Sequence, residues 1–323
     1  MSPPQAEIVF LDAATYGDVS LARFTALWNC TIHQITRPNE TRQRVAGKTI
    51  AVTNKVEIDG LILGSPEARD LKLIAVAATG TDIIDRKTAS ARGVKVCNVP
   101  GYATESVAQF TMALILELAA RAGTYRDAVK GGEWEKSPVF ALLSYPAVEL
   151  KSKKLGIVGY GNIGRRVAEI ARGFGMEILV AARSASAVTN DRVPIDDLLR
   201  QADVVSLHCP LTPQTRNMIN RQSLSLMKST AFLINTARGA LIDETALIDA
   251  LATNLISAAA LDVVTTEPPP PDHPIIRAAK ALDNLLVTPH TAWSAREARE
   301  RLLDQVKENI AAFLRGETRN LVE

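Results

Sequence analysis

Short runs of apolar residues alternate with longer stretches of helical periodicity along most of this 323-residue chain. Most of the short runs are continuously apolar, which is typical of strands covered on both faces of a parallel sheet. Helical segments of about 10–15 residues separate many of them, so the pattern favours an α/β fold over a β-sandwich. The predicted strands are Glu7–Leu11, Thr49–Val52, Leu73–Ala77 and Val94–Val99 in a first series, and Leu155–Val158, Glu177–Ala181, Val204–His208, Ala231–Asn235, Ala258–Val263 and Leu285–Thr288 in a second.

Two longer helices are predicted outside this alternation. The first runs from Thr104 to about Val129 and is apolar on most sides, so it must be buried inside the fold or against another subunit. The segment 131–154 then interrupts the pattern, and a new α/β unit begins after it. The last helix, from about Ser294 to Arg315, carries alternating charges and closes the chain.

The composition excludes several classes of protein. Hydrophobic residues make up 47% and charged residues 22% of the chain, the balance of a globular protein of about two domains. A net charge of +2 without a basic run argues against nucleic-acid binding, and no apolar run reaches the roughly 18 residues of a membrane span. The scattered cysteines Cys30, Cys97 and Cys209 fit neither a disulfide framework nor a metal site, and they predict a reducing, cytoplasmic compartment.

One glycine-rich stretch has the spacing of a dinucleotide-binding turn. Residues 159–164 read Gly-Tyr-Gly-Asn-Ile-Gly between a predicted strand and a predicted helix. In this motif Gly159 makes the tight turn, Gly161 lets a pyrophosphate approach the backbone, and Gly164 allows the helix to pack on the strand. Amides at Asn162 and Ile163 would face the phosphates at the helix start. The alternative is a glycine-rich turn without a ligand, which the flanking elements disfavour.

The end of the next strand bears on the choice of cofactor. An acidic residue normally binds the adenosine ribose there, but this chain has Ala182 followed by Arg183 and Ser184. Without a carboxylate, Arg183 could pair with a 2′-phosphate and Ser184 could donate a hydrogen bond to it. The pattern predicts a preference for NADP(H), with NAD(H) also possible. In the alternative interpretation, Arg183 is a solvated loop residue.

Among the reactions of such cofactors, reduction of a 2-keto acid needs a cation for the carboxylate, a donor to the keto oxygen, and an acid. Histidine suits the role of the acid because its pKa lies near neutrality. His33 lies far from the glycine motif, His208 could line the adenine pocket, and His273 sits in a proline-rich turn. His290 ends the last predicted strand, and strand ends of a parallel sheet open onto its ligand crevice.

Two further residues complete this set. Glu267, at the tip of a loop, is the best partner to orient the imidazole of His290, and Arg238, just after a strand, is the best cation for a carboxylate. Each of the three residues alone is more often structural than catalytic. The hypothesis depends on their joint occurrence at sheet ends.

With these residues in view, the chain resembles the D-isomer-specific 2-hydroxyacid dehydrogenases over nearly its whole length. The segments that carry the resemblance are 159–164, Asn235-Thr236-Ala237-Arg238-Gly239, Leu261-Asp262-Val263 with Glu267-Pro268-Pro269, and Pro289-His290. Stretches beginning at Ala77, Cys97 and Ala292 look most like the glycerate dehydrogenase/hydroxypyruvate reductase branch.

The resemblance implies a role for each matched residue. Arg238 would bind the substrate carboxylate and keto oxygen, Glu267 would pair with His290, and His290 would be the acid/base. Asp262 would hold the nicotinamide carboxamide. Further cofactor contacts would come from Thr104, Pro210 and Thr236, and the substrate carboxylate would also meet the backbone amides of Ala78, Thr79 and Gly80.

The resemblance also implies an architecture and partners. Two Rossmann-like parallel-sheet domains are expected, with a nucleotide domain (100–289) inserted into a flavodoxin-like substrate domain (1–99 and 290–323). The substrate would be a small 2-keto or 2-hydroxy acid, and the predicted 104–129 helix would form a homodimer interface. Two alternatives stay open: a nucleotide-sensing, corepressor-like binding protein of the same fold, and a formate or phosphite dehydrogenase.

Overall fold

Eleven strands are present in the computed structural model, which describes residues 6–184, 187–189 and 191–322. Each series of strands that the sequence pattern predicts forms its own parallel sheet. The strands are β1 (Glu7–Phe10), β2 (Asn29–Ile32), β3 (Ile50–Thr53), β4 (Leu73–Val76), β5 (Lys95–Cys97), β6 (Lys154–Val158), β7 (Glu177–Val180), β8 (Val204–Leu207), β9 (Phe232–Asn235), β10 (Ala258–Leu261) and β11 (Leu285–Val287).

Helices connect these strands and cover both sheets. The helices are α1 (Ala22–Thr25), α2 (Thr41–Val45), α3 (Gly60–Leu63), α4 (Arg86–Ala91), α5 (Thr104–Ala120), α6 (Ala122–Lys130), α7 (Asn162–Gly173), α8 (Ile195–Gln201), α9 (Arg221–Leu226), α10 (Glu244–Ala252), α11 (Pro274–Ala281) and α12 (Arg296–Leu314). Short 3-10 turns are found at Ala13–Tyr16, Pro38–Glu40, Pro66–Ala68, Trp134–Lys136 and Gly239–Leu241.

Contacts divide the chain into two compact units, Met1–Ala103 with Ser294–Glu323, and Thr104–Trp293. The expected domain boundaries at 99 and 289 lie four residues before those at 103 and 293. Residues 1–5 and 323 of the expected first domain lie outside the described residues. The difference moves His290 into the second unit, because its turn is hydrogen-bonded to Asp262 of that unit.

The first unit has a five-stranded parallel sheet of order β2-β1-β3-β4-β5, the flavodoxin-like order. One face packs against α2, α3 and α4 through Val45, Leu63 and Ala89. The helix α12 belongs to the same unit, contacts β4, and buries Leu302, Leu303, Val306 and Ile310 completely. Both faces of the sheet are therefore covered, which explains its continuously apolar strands.

The second unit has a six-stranded parallel sheet of order β11-β10-β9-β8-β6-β7. The helices α5 and α7 cover one face, and α8 to α11 cover the other. The strand order reverses between β6 and β8, so the connections leave these two neighbours in opposite directions. Such a switch point opens a crevice at the carboxyl ends of the strands. These two sheets confirm the predicted fold class.

The structure differs from the sequence prediction in three places. The predicted 104–129 helix is two helices, because Arg121 between α5 and α6 has the left-handed φ of 54°. The edge strand β2 was not predicted, since its four side chains are all partly or fully exposed and give no apolar run. The last helix spans Arg296–Leu314 rather than 294–315.

Candidate active site

The glycine motif lies at the switch point of the second sheet, between β6 and α7. Gly159 has a φ of 99°, and a Cβ there would lie 2.5 Å from the backbone nitrogen of Cys209. A Cβ on Gly164 would lie 2.2 Å from the carbonyl oxygen of Gly159. These two glycines are therefore needed by the fold itself, because the turn packs directly against the backbone after β8.

Gly161 differs from the other two glycines of the motif. Its φ is –81°, and a Cβ built on it would have no neighbour within 4 Å among the described residues. Gly161 is also the N-cap residue of α7, which begins at Asn162, and it has no side chain to cap the first N–H groups of the helix. Open space over the backbone and uncapped N–H groups at a 12-residue helix fit a phosphate-bearing cofactor. Asn162 is exposed and Ile163 half-buried at this position.

The end of β7 carries the residues that the sequence relates to cofactor choice. Ala182 is half-buried and donates its backbone N–H to the carbonyl of Val193 at 2.8 Å. Arg183 and Ser184 follow and are exposed. The carbonyl of Ser184 accepts a hydrogen bond from Ala187 N at 3.0 Å. An exposed guanidinium at this strand end is accessible to an anionic group.

The loop after β9 holds Arg238 by way of a buried asparagine. Asn235 is fully buried; its Nδ2 donates to the carbonyl of Arg238 at 2.8 Å, and its Oδ1 accepts from Ala237 N at 3.0 Å. The Arg238 guanidinium is half-buried and donates to the carbonyl of Ala237 at 2.8 Å. The hydroxyls of Thr236 and Thr111 are 3.0 Å apart, which ties this loop to α5.

Gly239 brings the loop of Arg238 against the loop of Glu267. A Cβ on Gly239 would lie 2.0 Å from the carbonyl carbon of Val264 and 2.5 Å from Thr265 N. Only a residue without a side chain allows this approach of two backbones. The carboxyl ends of β9 and β10 are thereby fixed next to each other.

Glu267 and His290 form the central pair of the site. Nδ1 of His290 lies 2.5 Å from Oε2 of Glu267. Because a carboxylate only accepts hydrogen bonds, Nδ1 is the protonated nitrogen and donates. The other oxygen of Glu267 accepts from Val264 N at 2.9 Å. The side chains of His290 and Glu267 are 25% and 31% exposed. Their hydrogen bonds hold the pair in place, and a small molecule can still reach it from solvent.

Asp262 holds the turn on which His290 stands. It is 1% exposed, and its carboxylate accepts from Thr288 Oγ1 at 2.7 Å, Thr291 N at 2.9 Å and Ala292 N at 2.8 Å. His290 itself has a φ of 54° and donates its backbone N–H to the carbonyl of Asp262 at 2.8 Å. The observed contacts of Asp262 thus fix the turn, and its contact with a carboxamide stays a prediction.

An apolar cavity of about 320 Å³ borders the pair. Pro268, Ile276, Val287 and Pro289 line it together with Glu267 and His290. A largely apolar wall lowers the local dielectric and strengthens electrostatic interactions next to the imidazole.

The other histidines have different surroundings. His33 lies in the first unit. Burial lowers the pKa of His208 to about 4, so its ring stays neutral at physiological pH, and its Nε2 lies 2.9 Å from Ser206 Oγ. His273 is 6% exposed and lies 3.7 Å from Glu244, whose carboxylate accepts from Thr265 N at 2.8 Å. His273 therefore belongs to a cluster that supports the loop before Glu267.

The remaining predicted residues are spread over both units. Thr104 begins α5, and Pro210 follows β8 with its carbonyl accepting from Thr215 Oγ1 at 2.8 Å. Ala78, Thr79 and Gly80 follow β4 in the first unit. Thr79 Oγ1 donates to the carbonyl of Val99 at 3.0 Å, and its carbonyl accepts from Asn98 Nδ2 at 2.7 Å.

Sequence reasoning missed the supporting residues of the site. Asn235 precedes the predicted cation by three positions, and the pattern assigns it to a strand without a role of its own, although a polar residue in an apolar run is a signal for a buried hydrogen bond. The pattern does not identify Thr288 or Glu244 either. Nothing local in the sequence relates Glu244 to a loop more than 20 residues away.

The described residues include no group of three or more His, Cys, Asp or Glu side chains placed to hold a metal ion. Over the same ranges, none of the helices has the length and apolarity needed to cross a membrane.

Comparison with known proteins gives one family. Residues 112–292 match the family described as "D-isomer specific 2-hydroxyacid dehydrogenase, NAD binding domain". The chain is 36% identical to a hydroxypyruvate reductase of Blautia hydrogenotrophica, over 98% of this chain and 99% of that protein. It is 40% identical to a glycerate dehydrogenase of Methylorubrum extorquens, again over 98% of this chain and 99% of that protein.

Solved structures are also similar to this protein over nearly its whole chain. The TT0316 protein of Thermus thermophilus is similar with a TM-score of 0.85 and 34% identity, over 98% of this chain and all of that chain (100%). An acyclic imino acid reductase in complex with NADPH and D-Arg is similar with a TM-score of 0.84 and 28% identity, over 98% and 100% of the two chains.

Proposed function

Because this chain belongs to the D-isomer-specific 2-hydroxyacid dehydrogenase family, we propose that it reduces a small 2-keto acid to the D-2-hydroxy acid with a reduced nicotinamide cofactor. The observation that carries the proposal is the 2.5 Å hydrogen bond from His290 Nδ1 to Glu267. It lies at the carboxyl end of the nucleotide-binding sheet, and the loop that carries Glu267 touches the loop that carries Arg238.

The reaction adds a hydride to C2 of the substrate and a proton to the keto oxygen, so that the C=O bond becomes C–OH. A bound nicotinamide would supply the hydride. His290 delivers the proton from Nε2, since its Nδ1–H is held by Glu267. The ring then regains a proton from solvent, and Glu267 keeps the same nitrogen protonated throughout.

Arg238 binds the substrate carboxylate and donates to the keto oxygen. Its guanidinium stays charged at every physiological pH and can hold a carboxylate with two parallel hydrogen bonds. In this proposal the backbone amides of Ala78, Thr79 and Gly80 bind the same carboxylate, and Asp262 accepts from the nicotinamide carboxamide. Thr104, Pro210 and Thr236 line the cofactor.

The substrate class follows from the relatives. Proteins named hydroxypyruvate reductase and glycerate dehydrogenase match nearly the whole chain, and a glyoxylate reductase of Aeropyrum pernix is 41% identical over 82% of it. We therefore propose hydroxypyruvate and glyoxylate as substrates, with reduction as the working direction.

The function is tested by following NADPH and NADH oxidation with a panel of 2-keto acids. His290→Ala should lose about 10²–10⁴-fold in kcat because the proton donor is gone. Arg238→Ala should also raise KM, because the carboxylate loses its cation. His33→Ala, in the first unit, is the matched histidine control and should turn over normally. Turnover close to wild type in both site variants would contradict the mechanism.

The cofactor is proposed to be NADP(H). Arg183 and Ser184 stand exposed at the end of β7, and Ala182 leaves no carboxylate there to repel a 2′-phosphate. The ratio of kcat/KM for NADPH to that for NADH should exceed one and fall at least about 10-fold in Arg183→Ala. Arg172→Ala, an exposed arginine at the end of α7, is the control. A wild-type preference for NADH would refute this choice.

We also propose a compartment, an oligomeric state and a class of partner for the enzyme. We place it in the cytoplasm, because its three cysteines are free thiols far apart in sequence. We propose that it acts as a homodimer on a small-molecule substrate, without nucleic-acid or membrane partners.

A further inference from the structure

A second carboxylate and imidazole, those of Glu244 and His273, lie next to the loop that carries Glu267. Their side chains are only 12% and 7% exposed, and Glu244 Oε2 lies 3.7 Å from His273 Nε2. The hydroxyl oxygen of Thr265 contacts both groups, at 3.0 Å from the carboxylate and 3.4 Å from the ring nitrogen. Burying a carboxylate is unfavourable unless it is hydrogen-bonded, so the bonds of Glu244 indicate what this carboxylate does in the protein.

The carboxylate of Glu244 fixes the backbone at Thr265. One oxygen accepts from Thr265 N at 2.8 Å, and the other accepts from Thr265 Oγ1 at 3.0 Å. A hydroxyl that donates one hydrogen bond can still accept another, so Thr265 Oγ1 can accept from His273 Nε2. Thr265 is therefore held by two elements, because Glu244 begins α10 and His273 directly precedes α11.

The anchored residue is next to the amide that holds Glu267. Val264 N donates to Oε1 of Glu267 at 2.9 Å, and Oε2 of Glu267 accepts from His290 Nδ1 at 2.5 Å. On its other side the loop borders the apolar cavity, which Glu267 and Pro268 help to line. A loop that borders open space on one side depends on its contacts on the other. The position of Glu267 should therefore depend on the anchor at Thr265.

Glu244 also connects this loop to the segment that begins with Arg238. That segment runs from Arg238 through the turn Gly239–Leu241 into α10, whose first residue is Glu244. Arg238 has a separate anchor, since Asn235 Nδ2 donates to its carbonyl at 2.8 Å. Loss of the Glu244 anchor should consequently displace Glu267 more than it displaces Arg238.

We propose that Glu244 is a positioning residue for the acid/base pair: together with His273 it holds Thr265 so that Glu267 stays within hydrogen-bond distance of His290. This inference rests on the proposed function, in which His290 delivers the proton. A shift of about 1 Å at a reacting group can lower the rate on the order of 100-fold. Loss of the anchor should therefore lower kcat, while KM changes little because Arg238 keeps its own support.

A purely structural role for Glu244 makes a different prediction. As the first residue of α10, its negative charge interacts favourably with the positive end of the helix dipole. If that charge were the reason for the glutamate, a shorter acid would serve equally well, and loss of the charge would affect stability alone. The two roles can be separated because one needs the charge and the other needs the reach of the side chain.

The test uses two substitutions that divide charge from reach. Glu244→Gln loses the charge, but its amide oxygen can accept from Thr265 N while its NH2 group donates to Thr265 Oγ1. Glu244→Asp keeps the charge and is one methylene too short to bridge to Thr265. With hydroxypyruvate and the better of the two cofactors, kcat should fall at least about 10-fold in Glu244→Asp. Glu244→Gln should stay within about 3-fold of wild type in kcat, and both variants should stay within about 3-fold in KM.

Asp243→Ala is the matched control. Asp243 precedes Glu244 and caps α10 by accepting from Ala246 N at 3.1 Å. Its loss should lower the Tm but leave kcat within about 3-fold of wild type. If Glu244→Asp does not fold, Thr265→Ala removes the hydroxyl that contacts both Glu244 and His273, and kcat should fall at least about 3-fold.

The outcomes separate this inference from the proposed function. Wild-type kcat in Glu244→Asp, an equal loss in Glu244→Asp and Glu244→Gln, or wild-type kcat in Thr265→Ala would overturn the positioning role. Reduction that is lost in His290→Ala would leave the proposed function intact in each of these cases. If wild type reduced no 2-keto acid at all, the proposed function would fail, and this inference with it.

Discussion

The three glycines after β6 belong to one sequence motif, but the structural reason for a glycine differs among the three positions. A methyl group on Gly164 would lie 2.2 Å from a backbone oxygen, and Gly159 is fixed by its φ of 99°. Gly161 has neither constraint, since its φ is ordinary and, apart from its two chain neighbours, no described residue comes within 4 Å of a Cβ there. We propose that a ligand approaching the backbone is the reason for the glycine at 161.

This difference predicts opposite effects of two alanine substitutions. Gly164→Ala should lower the free energy of unfolding by about 1–3 kcal/mol through overpacking. Gly161→Ala should change it by less than about 1 kcal/mol yet raise the Kd for the reduced cofactor about 10-fold, because the methyl group occupies the approach of the pyrophosphate. Denaturant unfolding and fluorescence titration with NADPH measure the two quantities. Unchanged cofactor affinity in Gly161→Ala would favour a turn without a ligand.

At the scale of elements, the turn after β11 shows where sequence reasoning succeeds and where it stops. The position of His290 at a strand end follows from the apolar run before it, and the Arg238 and Glu267 loops follow the ends of β9 and β10 in the same way. The left-handed φ of His290 and the hydrogen bonds that the Asp262 carboxylate accepts from Thr288, Thr291 and Ala292 do not follow from that pattern. They depend on contacts between residues nearly 30 positions apart.

The same limit explains the broken helix. Arg121 has a left-handed backbone between α5 and α6, although it is itself neither glycine nor proline, and Gly123 lies two residues later inside α6. Glu117 accepts from Gly123 N at 2.9 Å with one oxygen and at 3.2 Å with the other, a contact that becomes visible only when the chain has already turned. Periodicity continues across the break, so the pattern predicts one helix where the structure has two.

Asp262→Asn should disturb the turn of His290 while leaving the sheet in place. An asparagine has one oxygen and one NH2 group, so its NH2 would face either Thr291 N or Ala292 N, which bond to different oxygens of Asp262, and at least one bond would be lost. We expect a decrease of about 1–3 kcal/mol in the free energy of unfolding and a fall of at least about 10-fold in kcat, because His290 is no longer held. Asp249→Asn, which removes only an exposed ion pair with Arg221, should be close to neutral. Wild-type kcat in Asp262→Asn would show that the turn does not depend on this carboxylate.

Considering the molecule as a whole, a run of exposed apolar side chains lies in the segment between α6 and β6. Trp134, Val139, Phe140 and Leu143 are 52%, 58%, 93% and 79% exposed, and all lie between α6 and β6. Exposed apolar residues are unremarkable when scattered, but a run of them in one segment is typical of an association surface. The apolar sides of α5, by contrast, are buried against α7 and the second sheet. The homodimer interface expected for the 104–129 helix is therefore better proposed for the segment 134–143 that follows it.

If segment 134–143 forms the interface, the oligomeric state should depend on its apolar side chains and not on exposed apolar side chains elsewhere in the protein. Light scattering after gel filtration should give about twice the chain mass of 34.8 kDa for wild type. Replacing Phe140 and Leu143 together by serine should shift the protein toward the monomer mass, because the apolar area that drives association is lost. Leu61→Ser removes a leucine that is 75% exposed in the first unit and should leave the mass unchanged. If the wild-type protein is monomeric, the proposal of a homodimer is wrong. If the double variant is still dimeric, residues 134–143 do not form the interface.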